Sequence, residues 1–268
     1  MDAKETGRPG HSPSSGDPLP AGPEEPVHPQ PQWFGIDPRA RPGDVPWGAW
    51  RALAGLLLAF VAVLALTSFL AATSPATSSQ ATGGTLSGAL AVFASTVLVD
   101  SWFVIVAWGV SLRHFRLSLA SWGLRRPHLT ALKPVPAVLG LVYLFSLAYN
   151  VVAHPPEQRV LTDFPHTGPG IASFAIMAIV VAPFFEELFF RGFLFQGLAR
   201  SFGAPAGAII SAAIFALAHQ QLSVFVPLFV LGLALAYLFH RTGSIWTNMA
   251  LHASFNAIGV LLWAALIA

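Results

Sequence analysis

Two carboxylates and a guanidinium stand inside an aromatic run at Pro183-Phe-Phe-Glu186-Glu187-Leu-Phe-Phe-Arg191-Gly192. Two imidazoles follow, in Phe215-Ala-Leu-Ala-His219 and in His252-Ala-Ser-Phe-Asn256. Ionisable side chains in such apolar surroundings cost ~2.5–3.5 kcal/mol each on insertion scales, and they usually serve a function. Together these types suit water-dependent acyl chemistry. A desolvated carboxylate is placed to act as a general base on water, and His and Asn side chains can donate to the oxyanion of a tetrahedral intermediate. Two His and a Glu are also a known catalytic zinc set, which would make Glu186, His219 and His252 the ligands. The usual helical zinc signature H-E-x-x-H is absent, however. Neither Ser211 nor Ser254 sits in a recognisable nucleophile motif, and with no cysteine there is neither a thiolate nucleophile nor a disulfide.

Helix geometry distributes the roles. Glu187 and Arg191 are four apart and share a face, so they can pair. Glu186 is turned about 100° from its neighbour and is free for a different task. His252 and Asn256 again share a face. Glu186 lies 17 residues before Gly203 and His219 lies 16 after it. In an antiparallel helix pair turning at Gly203–Pro205, both would sit ~25 Å from the turn, at one level. His252 lies nearer its own turn at Gly243, and Asn256 comes closer to the Glu/His layer.

The elements that must carry these groups are membrane helices. Of 268 residues, 54% are hydrophobic and 10% charged, against roughly 25% charged in soluble domains. The apolar residues come in blocks of about twenty, the length that crosses ~30 Å of hydrocarbon. The pattern predicts an all-α, polytopic transmembrane bundle of about seven spans, with six to eight as the range. These lie near 50–72, 88–112, 134–153, 171–199, 204–220, 222–240 and 245–267, enclosing an intramembrane catalytic cavity. Arg113, Arg116, Arg125, Arg126 and Lys133 fill one loop, Arg200 and Arg241 mark later ones, and the intervening loops are almost uncharged. That alternation predicts a multi-pass cell-membrane protein with a cytoplasmic N-terminus. The net charge of +2 is explained by topology, so a nucleic-acid partner is not expected.

Residues 1–46 contain eleven of the 22 prolines and no apolar run, which predicts a disordered Pro-rich cytoplasmic tail and no cleavable signal. The membrane domain is then 47–268. The 113–133 loop, with Trp122 and Leu124 beside Arg125 and Arg126, reads as an amphipathic piece in the headgroup region. Asp100 interrupts the second span; it could line the cavity or pair with Arg51.

The three motifs, Glu186-Glu187-x-x-x-Arg191, Phe215-x-x-x-His219 and His252-x-x-x-Asn256, resemble in order those of the CAAX protease and bacteriocin-processing (CPBP, or Abi) family of intramembrane endopeptidases, which includes the type II CAAX prenyl endopeptidases. The resemblance covers roughly 118–268, with Trp122-Gly123-Leu124-Arg125-Arg126 as a weaker match. It implies that Glu186 activates the attacking water and that Glu187 is held by Arg191. It further implies that His219, His252 and Asn256 position the water and stabilise the oxyanion. Many relatives carry a metalloprotease label, but the glutamate-activated mechanism requires no cofactor, and zinc stays an alternative. The expected partners are the lipid bilayer and a peptide, prenylated or membrane-protein substrate. The same fold without turnover, as a peptide-binding, immunity or scaffold protein, is the competing expectation. A proton-coupled transporter is a third, weakened by the absence of an internal repeat.

Overall fold

The computed structural model describes residues 42–73, 86–125, 129–156 and 167–267. The expected tail lies almost entirely outside them; Val45 and Trp47, at its boundary, are buried. Every regular element among the described residues is helical. Seven principal helices follow one another: α1 (Ala49–Thr73), α2 (Leu86–Trp108), α3 (Val135–Ala153), α4 (Gly168–Phe202), α5 (Ala204–Ala218), α6 (Phe225–Thr242) and α7 (Ile245–Ile267).

Six of the seven expected spans are long and apolar enough to cross a membrane, and the protein is a multi-pass membrane protein. The fifth differs. Helix α5 has 15 residues, ~22 Å of rise, which falls short of ~30 Å of hydrocarbon. The reason is local: the apolar stretch gives way to His219-Gln220-Gln221, and Gln220 turns the chain in a left-handed conformation at φ 54°. Helix α4 shows the opposite excess, since 35 residues make roughly 50 Å, more than a bilayer core requires.

Small residues set the close approaches among the central helices, as is usual where lipid removes any hydrophobic drive for helices to associate. A Cβ on Gly207 would lie 2.7 Å from the backbone nitrogen of Ala199, and one on Gly232 would lie 2.9 Å from the Ala212 side chain. The α4–α5 turn falls on Gly203, at φ 81° and ψ 160°, a backbone conformation that is essentially glycine-only. Pro205 then starts α5 with a pre-set φ.

Helix α4 is not uniformly α-helical. Two stretches, Met177–Val181 and Leu188–Phe195, are π-helical. π-turns are rare and concentrate at functional sites, and the second one carries Arg191. Widened turns tilt carbonyls out of the ladder, and here side chains from other elements and from Gln196 of α4 itself supply donors. Trp47 Nε1 donates to Phe193, Ser211 Oγ to Phe190, and Gln196 Nε2 to both Gly192 and Ser121. Asn256 does the same for Ala178 in the first π stretch.

The segment around Trp122 packs against the helix bundle: Trp122 is fully buried and lies over Gly192 and beside Phe193. The backbone carbonyls of Gly123 and Arg125 accept from Ile245 N and Trp246 Nε1, tying the segment to the start of α7. One flank of its amphipathic pattern thus faces the helix bundle.

Candidate functional site

The π turn of α4 buries Glu187 and Arg191 completely, both at 0% exposure. Arg191 donates to Glu187 Oε1 at 3.0 Å and to the carbonyl of Gly232 at 3.3 Å. Its guanidinium carbon lies 4.6 Å from the centre of the Phe215 ring. The spacing of four that suggested an ion pair therefore produces one, and α6 and an aromatic face complete its surroundings.

Glu187 does more than hold Arg191. His252 Nδ1 donates to the same Oε1 at 2.8 Å, and Asn248 Nδ2 donates to Oε2 at 3.1 Å while also reaching the Leu235 carbonyl at 2.7 Å. One carboxylate thus accepts from three donors, two of which, His252 and Asn248, join α4 to α7. A buried carboxylate needs such partners to offset its desolvation. The bond also fixes the imidazole: Nδ1 carries the proton, and Nε2 turns the other way.

What Nε2 faces is Glu186. Its Oε2 stands 3.8 Å from His252 Nε2, and Glu186 retains 21% exposure against 3% for the histidine. That Oε2 is buried and has no hydrogen-bond partner among the described residues. The two adjacent glutamates are therefore placed differently, one saturated with donors and the other holding an open acceptor. The ~100° between neighbouring helical positions is what separates them.

Phe215 is the hinge of the arrangement. Its ring meets Phe190 of α4 at 5.1 Å, the His219 ring at 4.9 Å and the His252 ring at 5.8 Å. His219 sits just past the last residue of α5, where Nδ1 donates to the Phe215 carbonyl at 2.9 Å. It is exposed, and no hydrogen bond or ion pair joins it to Glu186, Glu187 or His252 among the described residues. Asn256 is turned toward α4 and spends its amide on Ala178 O at 2.7 Å.

The structure thus brings Glu186, Glu187, Arg191 and His252 into direct register. His219 stands one aromatic ring away, and Asn256 bonds to backbone. The alternative zinc set is not gathered: among the described residues no group of three His, Asp or Glu side chains could hold a metal ion. Asn248 was not anticipated, although its place four residues before His252 was a signal, since it shares that face of α7. Phe215 was visible in the motif without a role. Asp100 does not pair with Arg51, which turns to the Val110 carbonyl and the Phe115 ring, and it has a buried carboxyl oxygen that no described residue satisfies.

A curated relative of Bacillus subtilis (strain 168), named "Putative membrane peptidase YdiL", is 29% identical over 87 residues, 32% of this chain. The matched stretch spans only 36% of that relative's length. No solved structure matches the chain. The family model described as type II CAAX prenyl endopeptidase Rce1-like matches residues 168–258, which stop short of the Trp122 segment but include all three motifs. Over that segment, about a third of the chain, the sequence is similar to the Rce1-like domain of type II CAAX prenyl endopeptidases.

Proposed function

We propose that this protein is an intramembrane endopeptidase that hydrolyses a peptide bond of a membrane-associated or CAAX-like substrate. The observation that carries this reading is the open Oε2 of Glu186 facing His252 Nε2 across 3.8 Å. A polar gap of that size between an acceptor and an imidazole suits a water and, in turn, the reacting carbonyl.

Glu186 takes a proton from the water as its oxygen attacks the scissile carbonyl. Glu187 acts through His252, holding the ring by its Nδ1–H; in the imidazolium form the ring's second proton, on Nε2, is donated to the developing oxyanion. Arg191 keeps Glu187 ionised and in place. As the tetrahedral intermediate collapses, Glu186 returns its proton to the leaving amine. His219 has Nδ1 committed to a carbonyl, so its Nε2 is an acceptor, suited to a substrate amide N–H at the cavity mouth. Asn256, tied to the π turn that precedes Glu186, supports the placement of that glutamate. The water is activated by Glu186 without a metal, a reading supported by the scattered donor set.

The test is cleavage of a fluorogenic farnesylated CAAX peptide by the purified protein in lipid, compared with Glu186→Ala, each with and without a chelator. Cleavage that is lost in Glu186→Ala and indifferent to the chelator supports the proposal. Loss under chelation that zinc restores would replace the glutamate-activated water with a metal. A wild type that binds the peptide without cleaving it would favour the binding-protein alternative.

A further inference from the structure

Helices α2 and α4 run parallel. Near their starts, Ala89 and Phe93 share one apolar cluster with Phe174 and Met177; further along, Phe103 meets Phe189 edge-on at 5.2 Å. Stepping back three residues from this last contact reaches Asp100 on α2 and Glu186 on α4. Three residues are ~4.5 Å of rise and leave a side chain within about 60° of its former bearing. Parallel helices in contact therefore place these two carboxyl groups at one level, about one turn before the Phe103–Phe189 contact. The two groups lie close enough to interact electrostatically.

Each ends in an unsatisfied acceptor. Asp100 Oδ2 and Glu186 Oε2 are both buried, and neither has a partner among the described residues. Leaving a buried acceptor unmade is costly, and in native proteins such groups need a reason. Two of them on facing helices have one reason in common. Asp100 lies outside residues 168–258, so the family match assigns it nothing.

We propose that Asp100 is a positioning residue of the site, forming with Glu186 a carboxylate pair around the reacting water. The inference rests on the peptidase reading above. The water donates one O–H to Glu186 Oε2 and the other to Asp100 Oδ2, which directs its lone pair at the scissile carbonyl. On attack, the carbon–oxygen bond forms and the O–H bond toward Glu186 breaks, its proton passing to Glu186. The O–H toward Asp100 stays intact, and Asp100 exchanges no proton. When the C–N bond breaks, Glu186 gives its proton to the amine. The charged and titratable groups around Glu186 are then Asp100 from α2, Glu187 and Arg191 from α4, and His252 from α7.

The experiment compares wild type, Asp100→Ala and Asp100→Asn as full chains in lipid. Asp100→Ala is expected to lower kcat about tenfold or more, since a displaced nucleophile is costly, while KM changes less than about twofold. Asp100→Asn keeps an oxygen acceptor at the same place and is expected to recover most of kcat. Because the charge beside Glu186 is gone, it should also displace the acidic limb of the pH–kcat profile. Unchanged kcat in Asp100→Ala overturns the proposal, as does an Asp100→Asn as impaired as Asp100→Ala with an unmoved profile. A wild type inactive on every peptide defeats the peptidase reading instead. The pairing is then decided by thermal unfolding of Asp100→Asn, Glu186→Gln and the double variant: non-additive shifts uphold it and additive shifts sink it.

Discussion

Glu187 carries the sharpest test, because two adjacent glutamates should fail in opposite ways. Replacing Glu187 with Gln removes the charge that Arg191, His252 and Asn248 all address. Arg191 and Glu187 are both at 0% exposure, so the arginine is left as an unpaired charge in an apolar interior. Breaking a buried pair in this way costs about 3–5 kcal/mol. For a domain of this size, each kcal/mol shifts Tm by ~2–4 °C, which gives a fall of roughly 6–20 °C. The double variant Glu187→Leu/Arg191→Met removes both charges, and most of the stability should return. Activity should not return, because His252 Nδ1 has lost the acceptor that aims the ring. The assay is thermal unfolding of all three proteins in one detergent–lipid mixture, with peptide cleavage measured on the same samples. A Glu187→Gln protein with wild-type Tm would refute the reasoning, and so would a double variant no more stable than the single one.

Glu186→Gln should behave in reverse, keeping Tm within about 2 °C because its Oε2 has no protein partner, while kcat falls ~10²–10⁴-fold with loss of the general base. Asn248→Ala removes a charge-assisted bond to Glu187 and should cost about 1.5–3 kcal/mol by chemical or thermal unfolding, with cleavage falling as His252 and Glu187 loosen. Trp122→Ala empties a fully buried position over Gly192 and should cost about 3–5 kcal/mol by the same measurement. Gly207→Val forces a side chain against the Ala199 backbone and should separate α4 from α5, read as loss of folded protein in size-exclusion chromatography. An unaltered elution profile and Tm would show that this helix contact is not as tight as described.

Much of this protein was legible in its sequence because membranes narrow the choices. Long apolar blocks must become helices, since lipid offers no partner for backbone polar groups. That logic located the helices and marked every intramembrane charge as exceptional. Spacing of four predicted the Glu187–Arg191 pair, because neighbours on one helix face are fixed by covalent geometry. Relations between helices were not legible in this way. His252 meeting Glu187 and Asn248 joining them depend on helix rotation and contact, which no single-helix period encodes. The π turns escaped for a related reason: they are held by donors from distant residues such as Trp47 and Ser211. The sequence therefore determined which groups could react and that they lie in membrane helices. Tertiary packing decided which glutamate is saturated and which is left open, because only packing brings donors from α7 to one carboxylate and leaves the other facing an imidazole.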